Sequence, residues 1–467
     1  MCKLLPASLA LALIAPFGAL ADTPSSSSTA AEIQLLRQEI ETMRASYEAR
    51  LQAMEQRLLA AERGAAPAAV ATAEAVPTPS TGAAATTAVS GGSDNAFNPA
   101  MSLILSGGYT RTSQDPASYA MTGFQLPKDS SAGPGSRGFS LAESELGLAA
   151  SIDPWLRGVA NIALHPDNTL SVEEAFVQTT SLSNGLSLKA GRFLSGVGYL
   201  NSQHAHTWDF VDNPLAYQAF LGTQYGDDGV QLRWLAPTDQ YLEFGAELGR
   251  GRSFPGSDSS RNGAGMSALT LHTGGDVGDS HNWRAGLSLL TAKADEQGLT
   301  GLNASGTTFN SAFTGSTRVW LLDGVWKWAP NGNATRTNFK LQGEYLHSTR
   351  SGNLTYDPGS ANLSGAYSSE QSGWYLQGVY QFMPRWRVGL RTERLNPGTT
   401  DYAINTLSAT GSGYQPSKNS LMFDFNPSEF SRLRLQLAQD KSREGLTDQQ
   451  LLLQYQMSLG AHGAHSY

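Results

Sequence analysis

From Asn95 to the C-terminus the sequence alternates apolar and polar residues with a period of two, and this confines the chain to β-structure over most of its length. The series opens at Met101, Leu103, Leu105 and Tyr109 and closes at Leu451, Leu453, Tyr455, Met457 and Leu459. Between them stand runs such as Leu242, Phe244, Ala246 and Leu248, or Leu433, Leu435 and Leu437. With weaker segments at 171–179, 186–193 and 267–273, the count reaches sixteen strands. The connections fall into two sets. Asp153-Pro154, Leu182 to Gly185, Pro237 to Asp239, Ala329 to Gly332, Met383-Pro384 and Asn426 to Ser428 read as tight turns. Residues 113–137, 194–226, 251–264, 293–314, 350–370 and 397–418 read as long loops. Short turns at one end and long loops at the other predict a 16-stranded antiparallel transmembrane β-barrel, an all-β fold. An even strand number returns both ends of the barrel to the short-turn side.

A soluble β-sandwich also alternates, so the choice of lipid rests on what each face carries. The polar face holds Glu143, Glu145, Lys189, Arg233, Glu243, Glu247, Arg284, Lys327, Lys340, Arg387, Arg391, Arg432 and Arg434. Beside the short turns cluster Trp155, Trp234, Trp283, Trp326, Trp328, Phe382, Trp386, Phe425 and Phe430, a girdle at one membrane interface. Tyr467 ends the chain close behind the last alternating strand, where it resembles the C-terminal signal read by outer-membrane assembly machinery.

The residues before Asn95 follow other rules. Residues 1–21 carry Lys3, an apolar stretch from Leu4 to Leu20 and Ala19-Leu20-Ala21, the pattern of a cleaved signal peptide. Cys2, the sole cysteine, precedes the apolar core, so no disulfide is expected to hold the fold. Residues 22–63 predict a periplasmic coiled coil. Ile33, Leu36, Ile40, Met43 and Tyr47, then Leu51, Met54, Leu58 and Ala61, fall in heptad steps with one stutter. So narrow a stripe needs a partner helix, and the spacing of Arg50, Leu51, Met54 and Glu55 favours a homotrimer through residues 31–63 and the barrel walls. Residues 64–95, rich in Ala, Pro and Thr, read as a linker, and residues 96–467 as the barrel.

Composition removes other classes of function. The chain of 467 residues has a net charge of −8 and no Lys/Arg block, which argues against nucleic acid as a partner. There is no nucleophile elbow, Walker motif or HExxH, so neither catalysis nor a cofactor is expected.

The arrangement of signal peptide, coil, linker and sixteen strands resembles the general and substrate-selective porins of Gram-negative bacteria. Sugar porins and the phosphate-selective group include members with such a coil. GFSLAESELGLAASIDPW, VEEAFVQTT, GLSLKAGRF and QHAHTWDFVDNPL are similar to a set of proteobacterial outer-membrane proteins labelled porins or zinc-regulated, TonB-dependent-type receptors. A TonB-dependent receptor has a barrel of about 22 strands with a plug, from which the helix and linker of residues 22–95 depart. The resemblance implies a water-filled channel for small hydrophilic solutes or ions, in the cell outer membrane and in contact with its lipid. It also implies that residues 194–226, after the fifth strand, fold inward to narrow the pore.

On that reading Asp209 and Asp212 supply carboxylates at the narrowing, together with Glu143 and Glu145. Lys189, Arg192, Arg233, Arg284, Arg387, Arg391, Arg432 and Arg434 supply the facing cations, and a transverse field selects solutes by charge. His204 and His206 make half of a zinc site, with Asp209 as a further ligand. The alternatives are a receptor-like barrel for zinc uptake, or a structural tether from outer membrane to cell wall.

Overall fold

The structure is a computed structural model that describes residues 99–460, apart from residues 129, 261, 304 and 406–411. The expected signal peptide, coiled coil and linker, with His462, His465 and Tyr467, lie outside the described residues.

The chain closes into a 16-stranded antiparallel barrel. Strands β1 to β8 span Ala100–Thr112, Gly138–Ser151 (interrupted at residues 142–143), Leu156–Leu164, Leu170–Thr179, Leu186–Leu194, Gly226–Leu235, Tyr241–Gly249 and Met266–Val277. Strands β9 to β16 span His281–Leu302, Thr308–Trp328, Asn338–Tyr356, Leu363–Met383, Trp386–Asp401, Ser417–Ser428, Ser431–Lys441 and Asp448–Gly460. Each strand pairs with its neighbours in sequence, and β1 closes the ring against β16 through Leu103 opposite Leu459 and Tyr109 opposite Leu453. Closure satisfies every strand edge, the condition for crossing hydrocarbon as β-structure.

The alternation sets the two faces. Leu376, Leu390, Leu433 and Leu453 point outward, and Leu390 keeps 64 % of its surface exposed. An apolar band of this extent is stable only against lipid. Gln377, Arg391 and Arg434, one step from Leu376, Leu390 and Leu433, point inward and are buried, as does Gln436 between Leu435 and Leu437. At the short turns Trp386 packs on Phe425 at 4.6 Å and Trp234 on Phe244 at 5.6 Å. These pairs form the aromatic interface expected there.

Two of the expected long loops are strand instead. Residues 293–314 belong largely to β9 and β10, and 350–370 to β11 and β12; these four strands run for 22, 21, 19 and 21 residues. The segments are rich in Gly, Ser, Thr and Asn, and lack the outward apolar residues that reveal a lipid-facing strand. They pair above the membrane, where both faces meet water or protein. Inside their curve Leu299, Phe309, Phe313, Leu354, Tyr367 and Tyr402 make a small core of their own.

Candidate functional site: a constriction inside the barrel

The connection from β5 to β6 folds into the barrel and packs there. Its helix α1, Leu215–Leu221, is buried at every residue. The helix starts after Pro214 and ends at Gly222, whose φ of +66° is the left-handed turn that glycine adopts freely. Val197, Leu200, Tyr217, Phe220 and Leu221 pack against Leu290, Val319, Leu321, Leu346 and Leu395 on the inner wall of β9 to β13. Met121, Phe124 and Leu126 of the β1–β2 connection join the same core.

Polar contacts fix the segment elsewhere. Wall carboxylates accept its backbone N–H groups, as caps and turns would in a soluble loop. Glu247 takes Gly196 N at 2.8 Å and the Ser195 hydroxyl at 2.6 Å. Glu344 takes Tyr199 N, Leu200 N and the Tyr217 hydroxyl at 3.1, 3.0 and 2.8 Å, besides the Tyr375 hydroxyl at 2.6 Å. Burial and the adjacent Glu344 push the Tyr217 phenol well above its usual value, so it remains a donor. Glu393 receives Leu215 N at 2.6 Å, which serves the helix in place of a side-chain cap.

The segment's own acids reach the basic wall. Asp209 meets Lys340 at 2.5 Å and Arg387 at 3.3 Å. Asp212 meets Arg391 at 2.7 Å and Lys418 at 2.5 Å, and accepts from Gln436. Burial alone would raise both carboxyls, but these cations hold them below the ordinary carboxylate range. On the wall itself Arg434 pairs with Asp424 at 2.7 Å and donates to the Trp208 carbonyl, while Arg391 pairs with Glu393 at 2.7 Å.

The candidate basic residues therefore divide into groups. Arg391 and Arg434 are buried, and they hold the segment through the Asp212 ion pair and the Trp208 carbonyl respectively. Arg387 and Arg432 are half-buried near the short-turn end, with Arg233, Arg284, Lys327 and Lys340 also inward at that end of their strands. Arg284 lies over the Tyr199 ring at 5.2 Å, and Lys189 over Phe176 at 4.2 Å. Arg192 differs from expectation. Strict alternation sets it on the face of Leu186 and Leu188, and it stands opposite Asp228 on the outer side, paired at 2.6 Å. It does not line the interior.

The histidines also find other partners than expected. Asp209 is committed to Lys340 and Arg387, so it is not the acid that completes the His204–His206 pair. Glu145, Glu173 and Glu174 meet that pair instead. Glu173, Glu174, Glu344, Glu393, Lys418 and Asp424 were missed by sequence reasoning. Period-two parity marks Glu344, Glu393, Lys418 and Asp424 as inward, but nothing in the sequence marks them as partners of a folded-in segment.

No protein-family model matches the chain. Among solved structures, a loop-deletion mutant of OmpT, an outer membrane protein of Vibrio cholerae, aligns with 78 % of this chain and 99 % of its own at 10 % identity and a TM-score of 0.49. OprB of Pseudomonas putida covers 78 % and 94 % at 13 % identity and 0.47. An anion-selective porin from Comamonas acidovorans covers 78 % and 99 % at 12 % identity and 0.45. The barrel described above stands on its own strand pairing. In sequence, an uncharacterized protein of Aquifex aeolicus (strain VF5) is 34 % identical over 352 residues, covering 71 % of this chain and 70 % of the relative. The chain belongs to the same protein family as this Aquifex protein.

Proposed function

We propose that the protein is an outer-membrane porin, passing small hydrophilic solutes or ions through a lumen narrowed by residues 195–225. The observation that carries this reading is a charged interior behind an apolar wall, crossed by one segment tethered at Glu247, Glu344, Glu393, Arg391 and Lys418. A protein that only anchored the membrane would have no use for so elaborately held an insert. The half-buried basic residues at the short-turn end give solutes a cationic vestibule, and the low dielectric of the wall concentrates their field. Proteoliposomes containing the full chain are expected to swell in isotonic solutions of small sugars or salts, and to resist swelling as solute size grows. Swelling no faster than empty liposomes would oppose the reading.

The coil of residues 31–63 is read as joining three such barrels on the periplasmic side. Deleting residues 22–63 is expected to lower the dissociation temperature of the oligomer in detergent while the barrel stays folded. An unchanged oligomer melting profile would count against a trimerising coil.

A further inference from the structure

Two irregularities in neighbouring parts of the wall aim acids at one point. In β4 the pairing with β3 slips between Asn161 opposite Glu174 and Ile162 opposite Val172, so Glu173 is an extra residue. That bulge turns the consecutive Glu173 and Glu174 both toward the interior, where regular alternation would send one of them to the lipid. In β2 the ladder breaks between Leu141 and Ser144; Glu143 lies in the break and Glu145 just after it. The inward segment brings His204 and His206 to the same place, their rings stacked with centroids 5.7 Å apart.

The contacts sort these groups. Glu143 faces His165 at 3.5 Å, and Glu174 meets His204 Nε2 at 2.9 Å and accepts Leu194 N at 3.0 Å. Glu145 and Glu173 remain for the inner nitrogens. His204 Nδ1 lies 2.9 Å from Glu173 Oε2 and 3.3 Å from Glu145 Oε2, and His206 Nδ1 lies 3.0 Å from that same Glu145 oxygen. The donor atoms of Glu145, Glu173 and His204 all fall within 4.8 Å of one another. In a tetrahedral site with bonds of about 2.0–2.2 Å, neighbouring donors stand roughly 3.3 Å apart. These three separations are close to that edge length, and His206 stands beside the Glu145, Glu173 and His204 cluster through its contact with Glu145.

We propose that Glu145, Glu173, His204 and His206 bind one divalent transition-metal ion, which ties the inward segment to the β2–β4 sector of the wall. Imidazole with carboxylate oxygen suits zinc and its first-row neighbours; calcium and magnesium prefer oxygen alone. The site is independent of the solute the barrel passes. It secures a sector that the Asp209 and Asp212 pairs, on β11 to β15, do not reach. Metal bound to the folded segment stabilises it by mass action.

The test uses the full chain without an affinity tag, stripped with a chelator and titrated with Zn²⁺ against a chromophoric competitor. One equivalent is expected to bind tightly, with excess Ca²⁺ failing to displace it. Glu145→Gln with Glu173→Gln is expected to weaken binding by about 100-fold or more, beyond the 10–100-fold typical of an outer-shell loss. His462→Ala with His465→Ala is expected to leave it intact, which separates the site from the C-terminal histidines. Should the glutamine variant fail to assemble, Co²⁺ added to the unmodified protein decides. Intense visible bands of a four- or five-coordinate ion support the site, and weak bands of a six-coordinate, water-like ion oppose it. No stoichiometric Zn²⁺ binding, or binding lost with His462 and His465 but kept without Glu145 and Glu173, overturns the proposal.

Discussion

Asp209→Asn combined with Asp212→Asn is expected to raise single-channel conductance and make the open level noisier, while the barrel remains inserted. The two carboxylates neutralise Lys340, Arg387, Arg391 and Lys418, of which Arg391 and Lys418 are buried. Asparagine keeps the shape and removes the charge. Breaking one buried pair costs about 3–5 kcal/mol because its partner is left uncompensated. Glu393 and Asp440 relieve part of that burden for Arg391 and Lys418. The strand ladder does not depend on these contacts, so the loss falls on the docking of residues 195–225. Arg192→Ala is the matched control. It removes an ion pair on the outer side and is expected to leave conductance unchanged. Wild-type conductance in the double variant would mean that these tethers do not set the width of the path.

The inner arginines are expected to separate in two pairs. Arg387→Ala with Arg432→Ala removes half-buried positive charge at the short-turn end, together with the Arg387 pairs to Asp209 and Asp424 and the Arg432 bond to the His206 carbonyl, and is expected to shift reversal potentials toward cations. The shift should shrink at high salt, since the Debye length falls from about 10 Å at 0.1 M to about 3 Å at 1 M. Arg391→Ala with Arg434→Ala has another consequence. It strips Glu393 of Arg391 and leaves Asp212 with Lys418 and Asp424 with Arg387 as their remaining cations, at up to about 3–5 kcal/mol for each broken pair, so lower thermal stability and a loosened segment are expected first. Reversal-potential measurements in a low-salt gradient, with melting curves alongside, distinguish the two. Unchanged selectivity after loss of Arg387 and Arg432 would exclude them from the conducting path.

Much of the wall was legible because a membrane barrel writes its two faces into alternate residues. Sixteen strands, the tight turns at Asp153-Pro154 and Met383-Pro384, and the inward parity of Arg387, Arg391, Arg432 and Arg434 follow from period two. The same rule sets Arg192 outside, against the lumen position expected from its nearness to the narrowing, since two steps from Leu188 is Ala190 and two more is Arg192. Above the membrane the code lapses. Residues 293–314 and 350–370 have no lipid to face, so their strands carry no apolar stripe. The anchors were hidden for a different reason. Glu344 is one more polar residue between Tyr345 and Gly343 until Tyr199, Leu200 and Tyr217 arrive from far along the chain. A bulge hides in the same way, since Val172-Glu173-Glu174 reads as ordinary strand until its partner is known.

On the porin reading this closed barrel conducts, and residues 195–225 set how much. Single-channel recording of the purified, folded full chain in planar bilayers reads both. Discrete, ohmic steps of one unit size are expected from the unmodified protein, with larger steps from the Asp209→Asn and Asp212→Asn variant. Protein that inserts in its folded, heat-modifiable form yet gives no steps, with or without those two aspartates, would contradict it.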